Sequence, residues 1–340
     1  MGDVTMGDEV VGVRNGRLWR LIVAITLIDI AIVLAGPLAY LSQSPDRGSV
    51  WFQFVSFVIL VALPAQCVAL WLALARPLRQ HRQATLLRSQ VDHVIKTQAL
   101  VTAFQPILEN DSGQVIGVEA LSRFDAEPHQ TPDRWFAAAD QVGRGRELEL
   151  LALSIALRRV PELPAHLYVA VNVSPPLLAS PSLLRILLGA GVRLDRLVVE
   201  VTEHESTADY GPLCEARENL RRHGIRLAVD DAGAGYASFR HIVALSPDII
   251  KIDRDLVTGI DQDNARRALV AAVVMYALTS GATVVAEGVE TPAEYDSLMD
   301  LGVDAVQGYL TGRPTTHADD WAGWSLTEPL RLPAKGARLR

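Results

Sequence analysis

From residue 101 onward, short apolar runs rich in β-branched residues recur along the chain, and helical stretches lie between most of them. The runs are Phe104–Leu108, Val115–Ser122, Leu167–Val173, Leu197–Thr202, Arg226–Asp230, Ile249–Asp253, Thr283–Glu287 and Asp304–Gln307. Helical patterns fill Glu147–Val160, Tyr210–His223, Ala265–Ser280 and Ala293–Leu301. A helix after each strand returns the chain to the same end of the sheet, so the alternation predicts a mostly parallel α/β sheet. Eight strands at this length favour closure into a TIM-type (β/α) barrel. An open doubly wound sheet is the competing arrangement. No G-x-G-x-x-G or Walker loop supports a nucleotide-binding form of it.

The polar side chains fall at the ends of these runs. Glu119 ends Val115-Ile-Gly-Val, Asn172 closes Leu167-Tyr-Val-Ala-Val, and Glu200 follows Leu197-Val-Val. Asp230 and Asp231 end Leu227-Ala-Val, Lys251 follows Ile249-Ile, Glu287 follows Val284-Val-Ala, and Gln307 follows Ala305-Val. Strand side chains alternate faces, so Glu119 shares a face with Gly117, Asn172 with Ala170 and Asp230 with Ala228. Small neighbours suit a crowded barrel interior, and polar groups at strand C-terminal ends line the mouth of such barrels. Any one of these residues alone reads as an ordinary rim charge or turn former; seven strand ends of this kind together do not.

Carboxylates converging on one mouth repel each other and lose hydration, so either their pKa values rise or cations neutralise them. A donor set of Glu, Asn and Asp oxygens suits hard ions such as Mg²⁺ or Mn²⁺ and lacks the His and Cys that zinc prefers. The number of acids suggests two ions, as in phosphodiester cleavage. Net charge is −7, which argues against a broad face for nucleic-acid polymers. Cys67 and Cys214 have neither zinc nor disulfide spacing.

The front of the chain differs in kind. Residues 21–41 are apolar except for Asp29, and residues 51–75 carry no charge. Each is long enough to cross a hydrocarbon core of about 30 Å, which predicts a two-helix transmembrane hairpin after an N-terminal segment, 1–20. Arg14, Arg17 and Arg20 precede the first span, Arg76, Arg79 and Arg82 follow the second, and only Arg47 lies between. The positive-inside rule then puts both ends in the cytoplasm, at the plasma membrane of a bacterium. Residues 76–100 read as a helical connector, 101–316 as the barrel, and 317–340 as a loose C-terminal tail with Arg331, Lys335, Arg338 and Arg340 among Pro and Gly.

The strings that carry these residues resemble the EAL-domain family of cyclic di-GMP phosphodiesterases. Glu119-Ala120-Leu121 matches the naming signature and follows Phe104-Gln105-Pro106-Ile107. Val171-Asn172-Val173-Ser174-Pro175, Glu200-Val-Thr-Glu203, Asp230-Asp231-Ala-Gly-Ala-Gly235-Tyr236 and Lys251-Ile-Asp253 follow in the family's order. Val285-Ala-Glu287-Gly-Val-Glu290 and Val306-Gln307-Gly308-Tyr309 complete the series. The resemblance implies that Glu119, Asn172, Glu200 and Asp230 bind one metal ion, that Asp231 helps hold a second, and that Glu287 joins the metal and water shell. It gives Lys251 and Gln307 to activation and positioning of the attacking water, and Gln105 and Arg123 to substrate contacts. Glu203 and Glu290 would support the loops beside the site. The implied reaction is hydrolysis of cyclic di-GMP to linear pGpG by a homodimer.

Ala232 and Ala234 stand where the family has Phe and Thr, in a loop that couples the metal site to dimer contacts. The departure keeps a second reading open, a receptor that binds the nucleotide, or a protein, without cutting it. A barrel acting on glycerophosphodiesters would need catalytic histidines, and His129, His166, His204, His223 and His241 avoid the strand ends. Synthesis of the nucleotide is not indicated, because the chain has no Gly-Gly-Asp-Glu-Phe string.

Overall fold

A computed structural model describes residues 82–201, 209–232 and 236–324. The expected spans 21–41 and 51–75 lie outside the described residues. Among those described, no helix is long and apolar enough to cross a membrane.

Eight strands close into a barrel in chain order. They are β1 (Leu100–Glu109), β2 (Val115–Phe124), β3 (Tyr168–Val173), β4 (Leu197–Val201), β5 (Arg226–Ala232), β6 (Ile249–Ile252), β7 (Thr283–Ala286) and β8 (Ala305–Val306). The strands from β2 to β8 pair in parallel. β1 is the exception, antiparallel to both β2 and β8. The physical reason is the short turn after Glu109: a tight hairpin joins only antiparallel strands. β1 and β2 are also longer than their apolar cores suggested, because they extend together from Leu100 opposite Phe124.

Each strand buries both faces, which is why the runs read as near-continuous Val and Ile rather than alternating. Val171, Val199, Ile250 and Val284 face outward into the shell under the helices. Ile107, Tyr168, Ala170, Val198, Ala228, Ile249, Val285 and Ala305 face inward and pack together as one layer of the barrel interior. Burial contributes about 1.5–3 kcal/mol for each large aliphatic side chain. Gly117 belongs to the same inward face. A Cβ there would stand 2.3 Å from the Tyr168 ring, so only glycine leaves room for that ring.

The helices begin and end on legible signals. Asp263 caps Asn264–Ser280 by accepting from the N–H groups of Ala265 (2.8 Å) and Arg266 (3.2 Å), and Gly281 ends it in the left-handed region at φ 76°. Thr291 and Glu294 form a capping box at the start of Pro292–Asp300. Pro132–Gln141, Pro181–Gly189 and Tyr236–Leu245 are helices that the coarse pattern left unassigned.

Two boundaries differ from the sequence reading. Residues 82–97 are helical, and the compact unit begins at Leu87. Val91 and Val94 are fully buried with Trp135, Leu148 and Ile155, so this end of the connector is part of the barrel's packing. At the other end, Thr315 pairs with Phe104, and Trp321 is fully buried with its ring 5.0 Å from that of Phe104. The first part of the expected loose tail is therefore a short helix, Ala318–Ala322, docked by a tryptophan. Residues 325–340 lie outside those described.

Candidate metal centre

Two residues beyond the apolar layer, on the same inward face, stands a polar one. Val198 is followed by Glu200, Ala228 by Asp230, Ile249 by Lys251, Val285 by Glu287 and Ala305 by Gln307. Two-residue periodicity thus carries the polar set to the C-terminal rim of a barrel whose floor is dry.

Lys251 is the hub and is 1% exposed. Its Nζ lies 2.8 Å from Glu200 Oε2, 3.4 Å from Glu119 Oε2 and 3.4 Å from Asp230 Oδ1, and it also contacts Glu287 Oε1. Acids from four strand ends therefore share one ammonium, which cannot balance them. Burial would lower the Lys251 pKa, but the surrounding carboxylates hold it well above its usual range. Burial pushes Glu200 and Glu287 well above the usual carboxylate range, and Asp230 upward, despite the attraction of Lys251. Glu119 goes the other way. Burial opposes its charge, yet Lys251 and hydrogen bonds from Gln307 and Asn172 hold it below the ordinary value. The cluster therefore has a net demand for positive charge.

The amides fix the acids. Asn172 donates from Nδ2 to Glu119 Oε1 at 2.7 Å. Gln307 donates from Nε2 to Glu119 Oε2 at 2.7 Å and to Gln105 Oε1 at 3.1 Å, and Gln105 Nε2 donates to the carbonyl of Gly312 at 3.0 Å. This leaves Gln307 Oε1 buried with no partner among the described residues. A buried orphan acceptor is costly unless something occupies its lone pairs.

Adjacent residues on a regular strand point to opposite faces, so Asp230 and Asp231 would not be expected to serve one site. The pairing of β5 with β6 resolves this. Val229 sits opposite Ile250 but Ala232 sits opposite Ile252, so one extra residue is accommodated on β5. Asp231 takes φ 56°, a conformation that Asp tolerates better than most residues, and its N–H donates to Asp230 Oδ1 at 3.0 Å. The bulge brings Asp230, Asp231 and Glu287 together with one oxygen from each within 4.8 Å of the others. The donor set is all oxygen and lies against an ammonium, an orphan amide oxygen and acids pushed toward protonation. These residues fit a hard divalent ion.

Other expected site residues are placed differently. Arg123 donates from Nη1 to the Ser122 carbonyl at 2.8 Å and makes no ion pair with the cluster among the described residues. Glu290 pairs at 2.8 Å with Arg254, whose side chain is 59% exposed, rather than with the loop backbone. That support comes from Glu294, which accepts from the N–H groups of Gly259, Glu290 and Thr291, each at 3.0 Å. The Thr-x-x-Glu capping pattern was a legible signal for it. Glu203 and Ala234 lie outside the described residues. Ala232 is buried and its carbonyl accepts from the Asp253 N–H at 3.3 Å, so the smaller side chain leaves the end of β5 paired.

Comparison with known proteins agrees with this geometry. The EAL domain family matches residues 88–314, so the chain belongs to the EAL domain family. It is 31% identical over 230 residues to the bifunctional diguanylate cyclase/cyclic di-GMP phosphodiesterase MucR of Pseudomonas aeruginosa, covering 65% of this chain and 34% of MucR. The chain spans about a third of the length of the curated relatives it matches. The solved structure of the PaMucR phosphodiesterase in complex with c-di-GMP aligns with TM-score 0.62 and 30% identity, over 68% of this chain and 97% of that one. Klebsiella pneumoniae BlrP1, solved with cy-diGMP and either calcium or manganese, aligns with TM-score 0.57 and 35% identity, over 64% of this chain and 56% of that one.

Proposed function

We propose that this chain is a divalent-metal-dependent phosphodiesterase that hydrolyses cyclic di-GMP to linear pGpG, with two ions, Mg²⁺ or Mn²⁺, in the barrel mouth. The observation that carries the reading is the cluster around Lys251, in which three buried carboxylates, the half-buried Glu287 and an orphan amide oxygen converge from separate strands. Similar proteins point to the substrate: MucR is named a cyclic di-GMP phosphodiesterase, and BlrP1 was solved in complex with cy-diGMP and calcium or manganese.

Bound ions would lower the pKa of a water and neutralise charge on the phosphodiester. Glu119, Asn172, Glu200 and Asp230 would hold one ion, Asp231 would help hold the second, and Glu287 would contribute to the metal and water shell. Gln307 has its nitrogen committed to Glu119 and Gln105, so its oxygen is the atom left to accept a hydrogen bond from the attacking water. Lys251 stays protonated and offers positive charge to the phosphate oxygens as charge builds there. Water adds its oxygen to phosphorus, the P–O3′ bond breaks, and the departing oxygen takes the proton. Gln105, anchored to the Gly312 carbonyl, and Arg123 at the rim would contact the nucleotide. Glu203 would support the loop after Asp231, and Glu290 would act on the neighbouring loop only through its pair with Arg254.

The hydropathy of residues 21–41 and 51–75 makes membrane anchorage, with the barrel in a bacterial cytoplasm, part of the same proposal. A homodimer rests on family membership alone. The test is turnover of cyclic di-GMP with Mn²⁺, with Glu119→Ala as control. Linear product from the wild type and none from the variant is the expected result. Binding without product would instead favour a receptor, the reading motivated by Ala232 and Ala234.

A further inference from the structure

Glu149 lies on the helix Gly145–Arg159 and belongs to none of the strand-end strings. Its carboxylate nonetheless takes two hydrogen bonds from one residue. Ser174 donates its backbone N–H to Oε1 at 2.8 Å and its hydroxyl to Oε2 at 2.8 Å. Burial pushes the Glu149 carboxyl upward even against these two donors. A carboxylate kept where its charge is costly, and spent wholly on one residue, calls for a reason.

Ser174 is where the chain leaves β3. It caps the helix Pro175–Leu178, and the carbonyl of Ser174 accepts from Leu177 (3.0 Å) and Leu178 (2.9 Å). Pro175 and Pro176 follow and have no N–H to give, so Ser174 carries the last backbone donor before the turn. The ladder between β3 and β4 ends at Val173 opposite Val201. Beyond it, the pair of bonds to Glu149 is what ties the strand end to an element outside the sheet.

Asn172 is two residues upstream of Ser174, on the inward face above Ala170, and bonds to Glu119 at 2.7 Å. It is exposed at the mouth, so packing does little to hold it. Its position follows from where the backbone at the end of β3 is pinned. We infer that Glu149 is a positioning residue for the metal centre: its clamp on Ser174 holds the end of β3 so that the Asn172 amide meets an ion together with Glu119. The inference rests on the metal-centre reading above. Partners of this kind, one step behind the ligands, typically govern metal affinity by about 10–100-fold.

The experiment titrates the full chain with Mn²⁺ alone by calorimetry and follows melting in chelator in parallel. Glu149→Ala and Asn172→Ala should each raise the Mn²⁺ Kd by about 10-fold. The double variant should show no more than the larger single effect, since both act through one amide. Glu149→Gln keeps one acceptor for Ser174 and should recover most of the affinity. Leu153→Ala, a core substitution on the same helix, should lower the melting temperature and leave the Kd unchanged. The inference is overturned if Glu149→Ala stays within about twofold of wild type, if its effect adds to that of Asn172→Ala, or if Leu153→Ala weakens Mn²⁺ equally. If Glu149→Ala does not fold, Ser174→Ala, which keeps the backbone bond, must still raise the Kd. A wild type that binds no Mn²⁺ defeats the metal-centre reading itself, and this inference with it.

Discussion

Two layers of one barrel interior, separated by a single strand repeat, obey opposite rules. The lower layer, Tyr168, Ala170, Val198, Ala228, Ile249, Val285 and Ala305, is apolar and closed by the Tyr168 ring over Gly117. The upper layer, built by the same strands on the same face, holds Glu119, Glu200, Asp230, Lys251, Glu287 and Gln307. The lower layer gains free energy from burial and asks only that volumes match. The upper layer loses it, because acids are crowded where water is scarce. The dry floor is what makes the polar rim electrostatically strong, since charge interactions grow as the surrounding dielectric falls.

The sharpest way to break the contrast is to exchange one residue from each layer of β6. Lys251→Met should lower cyclic di-GMP turnover by about 10²–10³-fold, the usual cost of deleting one charge-stabilising group. Steady-state kinetics at saturating Mn²⁺ reads this, and an unchanged rate would remove Lys251 from the chemistry. Ile249→Ala, two residues away on the same face, should instead cost about 2–5 kcal/mol of stability, measured by urea unfolding. Its rate per folded molecule should stay near that of wild type, and a large loss of rate would mean that the layers are not separable.

A smaller effect tests the floor. Gly117→Ala sets a methyl against the Tyr168 ring, which is 8% exposed and has the Arg226 guanidinium 4.7 Å from its centroid. The ring has little freedom to yield, so the change should cost about 1–3 kcal/mol by overpacking. Tyr168→Leu in the same background should restore part of the loss in thermal melts.

The gentlest probe is pH. Glu200, Asp230 and Glu287 are raised in the folded chain, so their contribution is present while they are protonated. It fades as pH climbs above the ordinary carboxylate value, 4.5 for the two Glu residues. Glu119 is lowered and contributes in the opposite sense, losing stability as pH falls below 4.5. Lys251 is raised, so its contribution is fully present below its ordinary value of 10.5. With three acids raised against one lowered, the melting temperature in chelator should decline as pH rises above the ordinary carboxylate value. Added Mn²⁺ should flatten that slope. A slope that is the same with and without the ion would separate the acids from metal binding.

Much of this arrangement was legible in the chain. The polar ends of seven apolar runs foretold the mouth, because alternation makes every second residue inward and the last inward residue meets solvent. The Thr291-Pro-Ala-Glu294 string carried the loop support in plain view, although Glu290 was the residue expected to provide it. Other features left no local trace. Asp231 joins Asp230 only through the bulge opposite Ile250 and Ile252, a matter of pairing between two strands. Glu149 reaches Ser174 across 25 residues, and neither residue type marks the contact in advance. The reversed direction of β1 follows from the short turn into β2, but its second pairing, with β8 at the far end of the barrel, is settled only when the barrel closes.

The chain by itself determined the succession of strands and helices and which side chains reach the rim, because periodicity acts within a few residues. Only the tertiary structure decided which acids share Lys251, which amide oxygen is left without a partner and what pins the end of β3. Those outcomes depend on distances between residues far apart in sequence, and electrostatic and hydrogen-bond energies change within an ångström or two, a scale that spacing along a chain does not encode.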